Sequence, residues 1–148
     1  MPAWSKAAEM PGNLRRWWAL PAPERRQFLA LWLLLPIISA SLRLTGYRKT
    51  MRWVEAASRP SQPRKALSLA QSHRLAELAA IAGRHGAVHA TCLRQALAVL
   101  LLLRRRGALP SLKFGVGAQG AAPDMHAWLE LDGHPLGQTD LRYRPFRH

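Results

Sequence analysis

Cys92 is the only cysteine among the 148 residues, and it stands where a helix is predicted to begin. Thr91 is a residue type that caps helix N-termini, so Cys92 is expected to be the first helical residue. At that place the unpaired backbone N–H groups and the positive end of the helix dipole favour a thiolate over a thiol. A lone cysteine forms no internal disulfide and no zinc cluster, so the chemistry to consider is nucleophilic.

A nucleophilic cysteine needs a histidine close by, and His126 lies 34 residues further on in a strand-like run. Cysteine peptidases and acyl transferases combine a thiolate, an imidazole that activates it, and a polar group that orients the imidazole. Two simpler interpretations of these residues stay open. Cys92 could be a small buried hydrophobe, and His126 a half-buried strand residue with no role in chemistry.

The elements that must position these two side chains follow an α+β order. A helix is predicted over about 67–82, closed by Gly83 and Gly86, and an apolar helix from Cys92 to about Arg105 that ends at Gly107. Strands are predicted over 112–117 and 127–131, followed by a turn at Asp132-Gly133 that leads into His134. Helices that precede an antiparallel sheet are typical of the α+β class. Histidines 73, 85 and 89 are expected to be surface or loop residues rather than ligands.

Charge is the most unusual feature of the composition, because 22 Lys and Arg oppose eight Asp and Glu for a net charge of +14. Such an excess favours an anionic partner, either a membrane surface, nucleic acid or an acidic peptide or protein. A compositional bias toward arginine with a solvated basic surface is the alternative. No arginine cluster alternates with aromatic residues, so we expect no nucleic-acid partner. The single cysteine and the lack of a recognisable secretion signal favour a cytoplasmic protein.

The N-terminal third is apolar and basic. Residues 28–42 are nearly all apolar, with arginines at both ends and Pro36 inside, and Pro23 with Glu24 is expected to open the helix. A bilayer-spanning helix needs roughly 20 apolar residues, so this run is too short to span. It could form a buried helix, two helices meeting at Pro36 that pack on the domain or on a partner, or a surface in contact with a membrane. We divide the chain into an N-terminal helical segment, 1–60, and a core, 61–148, separated by a Pro- and Ser-containing loop over 58–65.

Several of these motifs together resemble one protein family. The runs Cys92-Leu93-Arg94-Gln95-Ala96-Leu97, Phe114-Gly115-Val116 and His126-Ala127-Trp128-Leu129-Glu130, with the Leu-Leu-Arg-Arg-Arg-Gly helix end and Asp132-Gly133, are similar to the lasso-peptide maturation proteases. This family is the type represented by the C-terminal domain of the microcin-processing protein McjB, a branch of the transglutaminase-like and papain-like cysteine peptidases. The similarity covers most of the chain.

The resemblance implies a transglutaminase-like fold, with a central cysteine-bearing helix on a small antiparallel sheet, and a peptidase activity without cofactor or metal. The enzyme would remove the leader from a ribosomally made precursor peptide, after which a lasso cyclase closes a macrolactam on the freed amine. A separate leader-recognition protein would hold the leader. The alternatives are a weakly active or inactive scaffold of the same fold that binds precursor and partners, and a basic membrane-associated or nucleic-acid-binding protein.

The resemblance also assigns roles. Cys92 would be the nucleophile and His126 the general base and later the acid, with the backbone N–H of Cys92 as the natural oxyanion donor. Family members carry an acidic residue about 12 positions after the histidine, where this chain has Gln138, with Asp140 two residues further on. A two-residue slip keeps strand parity, so we favour Asp140 over Gln138 as the orienting residue. Asp132 is expected to be only a turn residue, and Asp124 a loop acid before the strand.

Overall fold

A computed structural model describes residues 16–60, 65–85, 91–117, 124–137 and 143–145. Within these ranges a helical turn over 16–19 is followed by α1 (Ala22–Thr45), α2 (Tyr47–Ala57), α3 (Leu69–His85) and α4 (Cys92–Arg105). The strands are β1 (Ser111–Gly117), β2 (Asp124–Leu131), β3 (His134–Pro135) and β4 (Tyr143–Pro145). They form an antiparallel sheet in the order β3-β2-β1-β4. The predicted α+β class is confirmed.

The cysteine-bearing helix α4 is the centre of the molecule. Its apolar side chains are buried on nearly every side, and it packs against α1, α2, α3 and β2. Leu97, Leu100 and Leu103 have no exposed surface. Because a helix that is apolar all round must be covered on all sides, the neighbouring elements are arranged around α4. The helix ends at Arg105, and Gly107 follows with a φ of 84°, a conformation that favours glycine, as predicted.

Helix α3 begins with a reciprocal cap. Ser68 accepts the backbone N–H of Gln71 at its hydroxyl (3.1 Å), and the Gln71 side-chain carbonyl accepts the backbone N–H of Ser68 (2.9 Å). This capping box satisfies two N–H groups that a helix start otherwise leaves unpaired. The helix predicted over 67–82 is observed, but it begins two residues later and ends three residues later than predicted.

Helix α1 runs without interruption through Pro36, so the structure has one helix here and not two helices meeting at that proline. Proline lacks the N–H that would bond to the carbonyl of Trp32 four residues earlier. Trp32 lies at an exposed position and not in the core, where an unpaired carbonyl would cost more. The chain turns instead at Gly46, between α1 and α2. There the Thr50 hydroxyl donates to the Gly46 carbonyl (2.9 Å) and lies 2.8 Å from the Ser41 hydroxyl.

One hydrophobic core joins the helices and the sheet. Leu31, Leu35 and Ile38 from α1 and Val54 from α2 lie in the same cluster as the buried residues of α3, α4 and β2. The two segments 1–60 and 61–148 therefore share this core, and the functional division between them stays a prediction. Among the N-terminal tryptophans that the structure describes, Trp17 packs edge-on against Phe28, whereas Trp18, Trp32 and Trp53 are substantially exposed.

Candidate active site

Cys92 is the first residue of α4, as predicted, and its side chain is half-buried. Thr91 occupies the cap position in an extended conformation, but its hydroxyl makes no capping hydrogen bond. The first backbone bond of the helix runs from the Gln95 N–H to the Thr91 carbonyl (3.0 Å). The N–H groups of Cys92 and the two residues after it therefore have no partner within the helix, and they form the positive end of the α4 dipole beside the thiol.

His126 lies near the start of β2, on the same side of the strand as Trp128 and Glu130. Its ring stacks on the Trp128 indole, with centroids 5.9 Å apart and an interplanar angle of 19°. The Trp128 indole N–H donates to the Glu130 carboxylate (3.3 Å). Across the ladder His126 faces Gly115, which has no side chain and leaves room beside the imidazole. The stack restricts the orientations that the ring can adopt.

An open cavity of ≈480 Å³ brings Cys92 and His126 together, since both line it. The consecutive residues 126–129 of β2 all contribute to its wall, so the cavity lies along the margin of the sheet, where residues of both faces reach it. Ala96 and Val99 of α4 also line the cavity, as do Leu136 and Gly137 after β3. Packing of α4 against β2 therefore places the candidate nucleophile and the candidate base at one site.

The third member of the candidate triad lies outside the described residues, because neither Gln138 nor Asp140 falls within them. The choice between the two stays a prediction. Asp132 has a φ of 52° in the turn between β2 and β3, so it is the turn residue that the sequence predicts. Asp124 is the first residue of β2 and not a loop residue before it, because the strand begins three residues earlier than the expected 127.

Helix α3 forms a charged wall of the cavity that the sequence analysis did not identify. Arg74 is held by two carboxylates, Glu77 of its own helix (3.1 Å) and Glu24 of α1 (3.3 Å). Its hydrogen bonds, first to Glu24 and then to Glu77, raise the pKa of the Arg74 guanidinium above its ordinary value. Arg84, further along the same helix, also lines the cavity and is exposed. The spacing of these residues marks one helix face, but nothing in the sequence says which element that face meets.

His73 ties α3 to the segment after β3. The backbone N–H of Gly137 donates to His73 Nδ1 (3.1 Å), and Nε2 lies 3.5 Å from a Glu77 carboxylate oxygen. This arrangement needs an imidazole with its proton on Nε2. His73 is therefore on the surface, as predicted, but it also makes a contact between residues 64 positions apart.

Gln95 lies one turn after Cys92 and lines the same cavity. Its side chain lies over Gly83 of α3, so close that a Cβ on Gly83 would meet its amide nitrogen at 2.5 Å. The glycine therefore provides a notch that seats the amide. Among the described residues, no group of three or more His, Cys, Asp or Glu side chains is arranged to hold a metal ion.

A family model described as the transglutaminase-like superfamily matches residues 34–148, which is well over half of the chain and includes both Cys92 and His126. No curated protein and no solved structure matches the chain. The match begins inside α1, two residues before Pro36.

Proposed function

The chain belongs to the transglutaminase-like superfamily, and we propose that it is a cysteine peptidase that removes the leader from a ribosomally made lasso-peptide precursor. The superfamily includes cysteine peptidases. The observation that carries the proposal is that Cys92, at the N-terminus of α4, and His126, on β2, line one cavity. The narrower assignment rests on the resemblance of residues 92–97, 114–116 and 126–130 to the lasso-peptide proteases.

The proposed reaction uses the groups at that cavity in two steps. His126 takes the thiol proton, and the Cys92 sulfur attacks the carbonyl carbon of the last leader residue. The backbone N–H of Cys92, which has no partner within the helix, would donate to the oxyanion that forms. His126 then gives its proton to the leaving nitrogen, the C–N bond breaks, and the core peptide departs with a free amine.

The second step restores the enzyme. The leader is held as a thioester on Cys92, and His126 takes a proton from water while the water oxygen attacks the thioester carbonyl. The C–S bond breaks, the sulfur recovers its proton from His126, and the leader leaves with a free carboxylate. The freed core amine is the group that a cyclase would join to an acidic side chain. A leader-recognition protein would deliver the precursor, and the orienting group for His126 would be Asp140 or Gln138.

The cysteine content makes the test direct, because a thiol reagent can modify this chain only at Cys92. Purified chain, a cognate precursor and its recognition protein are combined, and leader release is followed by mass spectrometry. We expect Cys92→Ala and prior alkylation each to abolish leader release, because both remove the thiolate. Leu109→Ala, at a side chain that is 84% exposed, is the matched control and should process at the normal rate.

The same experiment separates the peptidase from the scaffold alternative. Leader release that continues at the normal rate with Cys92→Ala would rule out the peptidase and leave a scaffold that presents the precursor to another enzyme. A His126→Ala variant that processes normally would rule out the assigned base, since the imidazole is needed for both proton transfers.

A further inference from the structure

Helix α1 has two apolar faces, and only one of them is covered by the protein. Leu31, Leu35 and Ile38 point into the core and are at most 2% exposed. On the opposite side, apolar side chains at spacings of three and four residues form an outward stripe, and Trp32 lies at its edge. The stripe consists of Leu29, Leu33, Ile37, Ala40 and Leu44.

The stripe is more exposed than is usual for apolar side chains on the surface of a soluble protein. Leu33 is 59% exposed and Leu44 84% exposed. From Leu29 to Leu44 the stripe is about 22 Å long at the rise of an α-helix. Contiguous apolar surface of this kind marks a contact with another protein or a membrane.

The exposed charges of α1 and α2 are almost entirely positive. Arg26 and Arg43 are exposed at its two ends, and the only acid of α1, Glu24, is taken up by Arg74. Helix α2 adds three exposed cations and one exposed acid, Arg48, Lys49, Arg52 and Glu55. Exposed indoles of Trp18, Trp32 and Trp53 belong to the same part of the chain, and Arg25 lies over the Trp18 ring (5.3 Å).

From this combination we infer that the outward face of α1 docks on the surface of an anionic lipid bilayer. An apolar stripe between cations suits a helix that lies in the interface, with leucines below the headgroups and arginines among the phosphates. Tryptophan is favoured at that depth because its ring is both apolar and polar.

The alternatives fit less well. The run 28–42 was expected to be too short to span a membrane, but helix α1 extends beyond it to 24 residues and is long and apolar enough to cross one. Crossing would require the buried face of Leu31, Leu35 and Ile38 to leave the core. A second copy of this chain on the stripe would bring Arg26 of one copy near Arg43 of the other in an antiparallel pair, between two molecules of net charge +14. An acidic protein groove remains the main competitor, and the experiment distinguishes it.

Sedimentation with vesicles tests the inference on the full chain. We expect binding to vesicles of phosphatidylcholine with one third phosphatidylglycerol, much weaker binding to phosphatidylcholine alone, and loss of the difference at high salt. The variant Leu33→Glu/Ile37→Glu should reduce the partition coefficient about tenfold or more, because it places two charges in the apolar contact.

The matched control is Leu109→Glu/Met125→Glu, which adds the same two negative charges at exposed apolar side chains outside α1. It should lose clearly less binding than the stripe variant. All substituted positions are exposed, so each protein should keep its circular dichroism spectrum. The inference is overturned if the chain does not bind anionic vesicles or if both variants lose binding equally. It is also overturned if sedimentation velocity shows a dimer that the stripe variant dissociates.

Discussion

Substitution of Gly83 by alanine tests how tightly α3 and α4 meet at the candidate site. A Cβ at this buried position would lie 2.5 Å from Nε2 and 3.1 Å from Cδ of Gln95, a separation at which the glutamine side chain must move. The three atoms nearest to such a Cβ all belong to the Gln95 side chain, so this side chain is the group that must move. The effect of Gly83→Ala should therefore depend on what stands at position 95.

Two opposing contributions determine how Gly83→Ala changes the unfolding free energy. Alanine stabilises a helix relative to glycine by about 0.5–1 kcal/mol. Forcing a side chain out of its rotamer costs about 0.5–1.5 kcal/mol. In the wild-type background these nearly cancel, so Gly83→Ala should change the unfolding free energy by less than about 1 kcal/mol. In a Gln95→Ala background only the favourable term remains, and Gly83→Ala should stabilise the protein by about 0.5–1 kcal/mol.

Urea unfolding of the four proteins of this cycle, followed by circular dichroism, measures the coupling. We expect an interaction of about 0.5–1.5 kcal/mol between the two positions. If Gly83→Ala shifts the unfolding free energy equally in both backgrounds, within about 0.3 kcal/mol, the notch does not seat the Gln95 amide.

Two further predictions concern the framework around the site. Leu100→Ala, at a side chain with no exposed surface in the middle of α4, should destabilise the protein by about 2–5 kcal/mol in urea unfolding, because it removes core contacts and leaves a cavity. Leu100→Met is its control and should cost less than about 1.5 kcal/mol. Gly133→Ala, at a φ of 79°, should cost about 1–2 kcal/mol, whereas Gly133→Asn should cost less because asparagine tolerates this conformation. Equal losses for both would show that the turn does not depend on the backbone angle.

Much of the positioning framework was predictable because its signals are local. Helix α4 begins at Cys92 and ends at Arg105, the limits that Thr91 and Gly107 predict. The turn after β2 has positive φ at both Asp132 and Gly133, which is the conformation that an Asp-Gly pair favours between two strands. In these cases the residues that decide the structure are neighbours in sequence.

Other features depend on contacts between distant residues, and the sequence does not display them. The Gly137–His73 bond and the Arg74–Glu24 pair join residues 64 and 50 positions apart. Strand β4 was not predicted, since it consists of three residues that pair with the end of β1. Pro36 was a reason to consider a break in α1, but the helix continues through it, with Leu35 and Ile38 on either side of the proline packed in the core.

One face of α1 belongs to the core and the other is exposed, and this limits how chimeras of the protein can be built. A chain cut near residue 60 does not yield an interchangeable module, because the remaining part would expose the sides of α3 and α4 that pack against α1. In a chimera, residues should instead be exchanged along one face of α1 while those of the other face are kept. The positions of the outward stripe can be replaced to change what the protein attaches to, while Leu31, Leu35 and Ile38 are kept as part of the fold that holds Cys92.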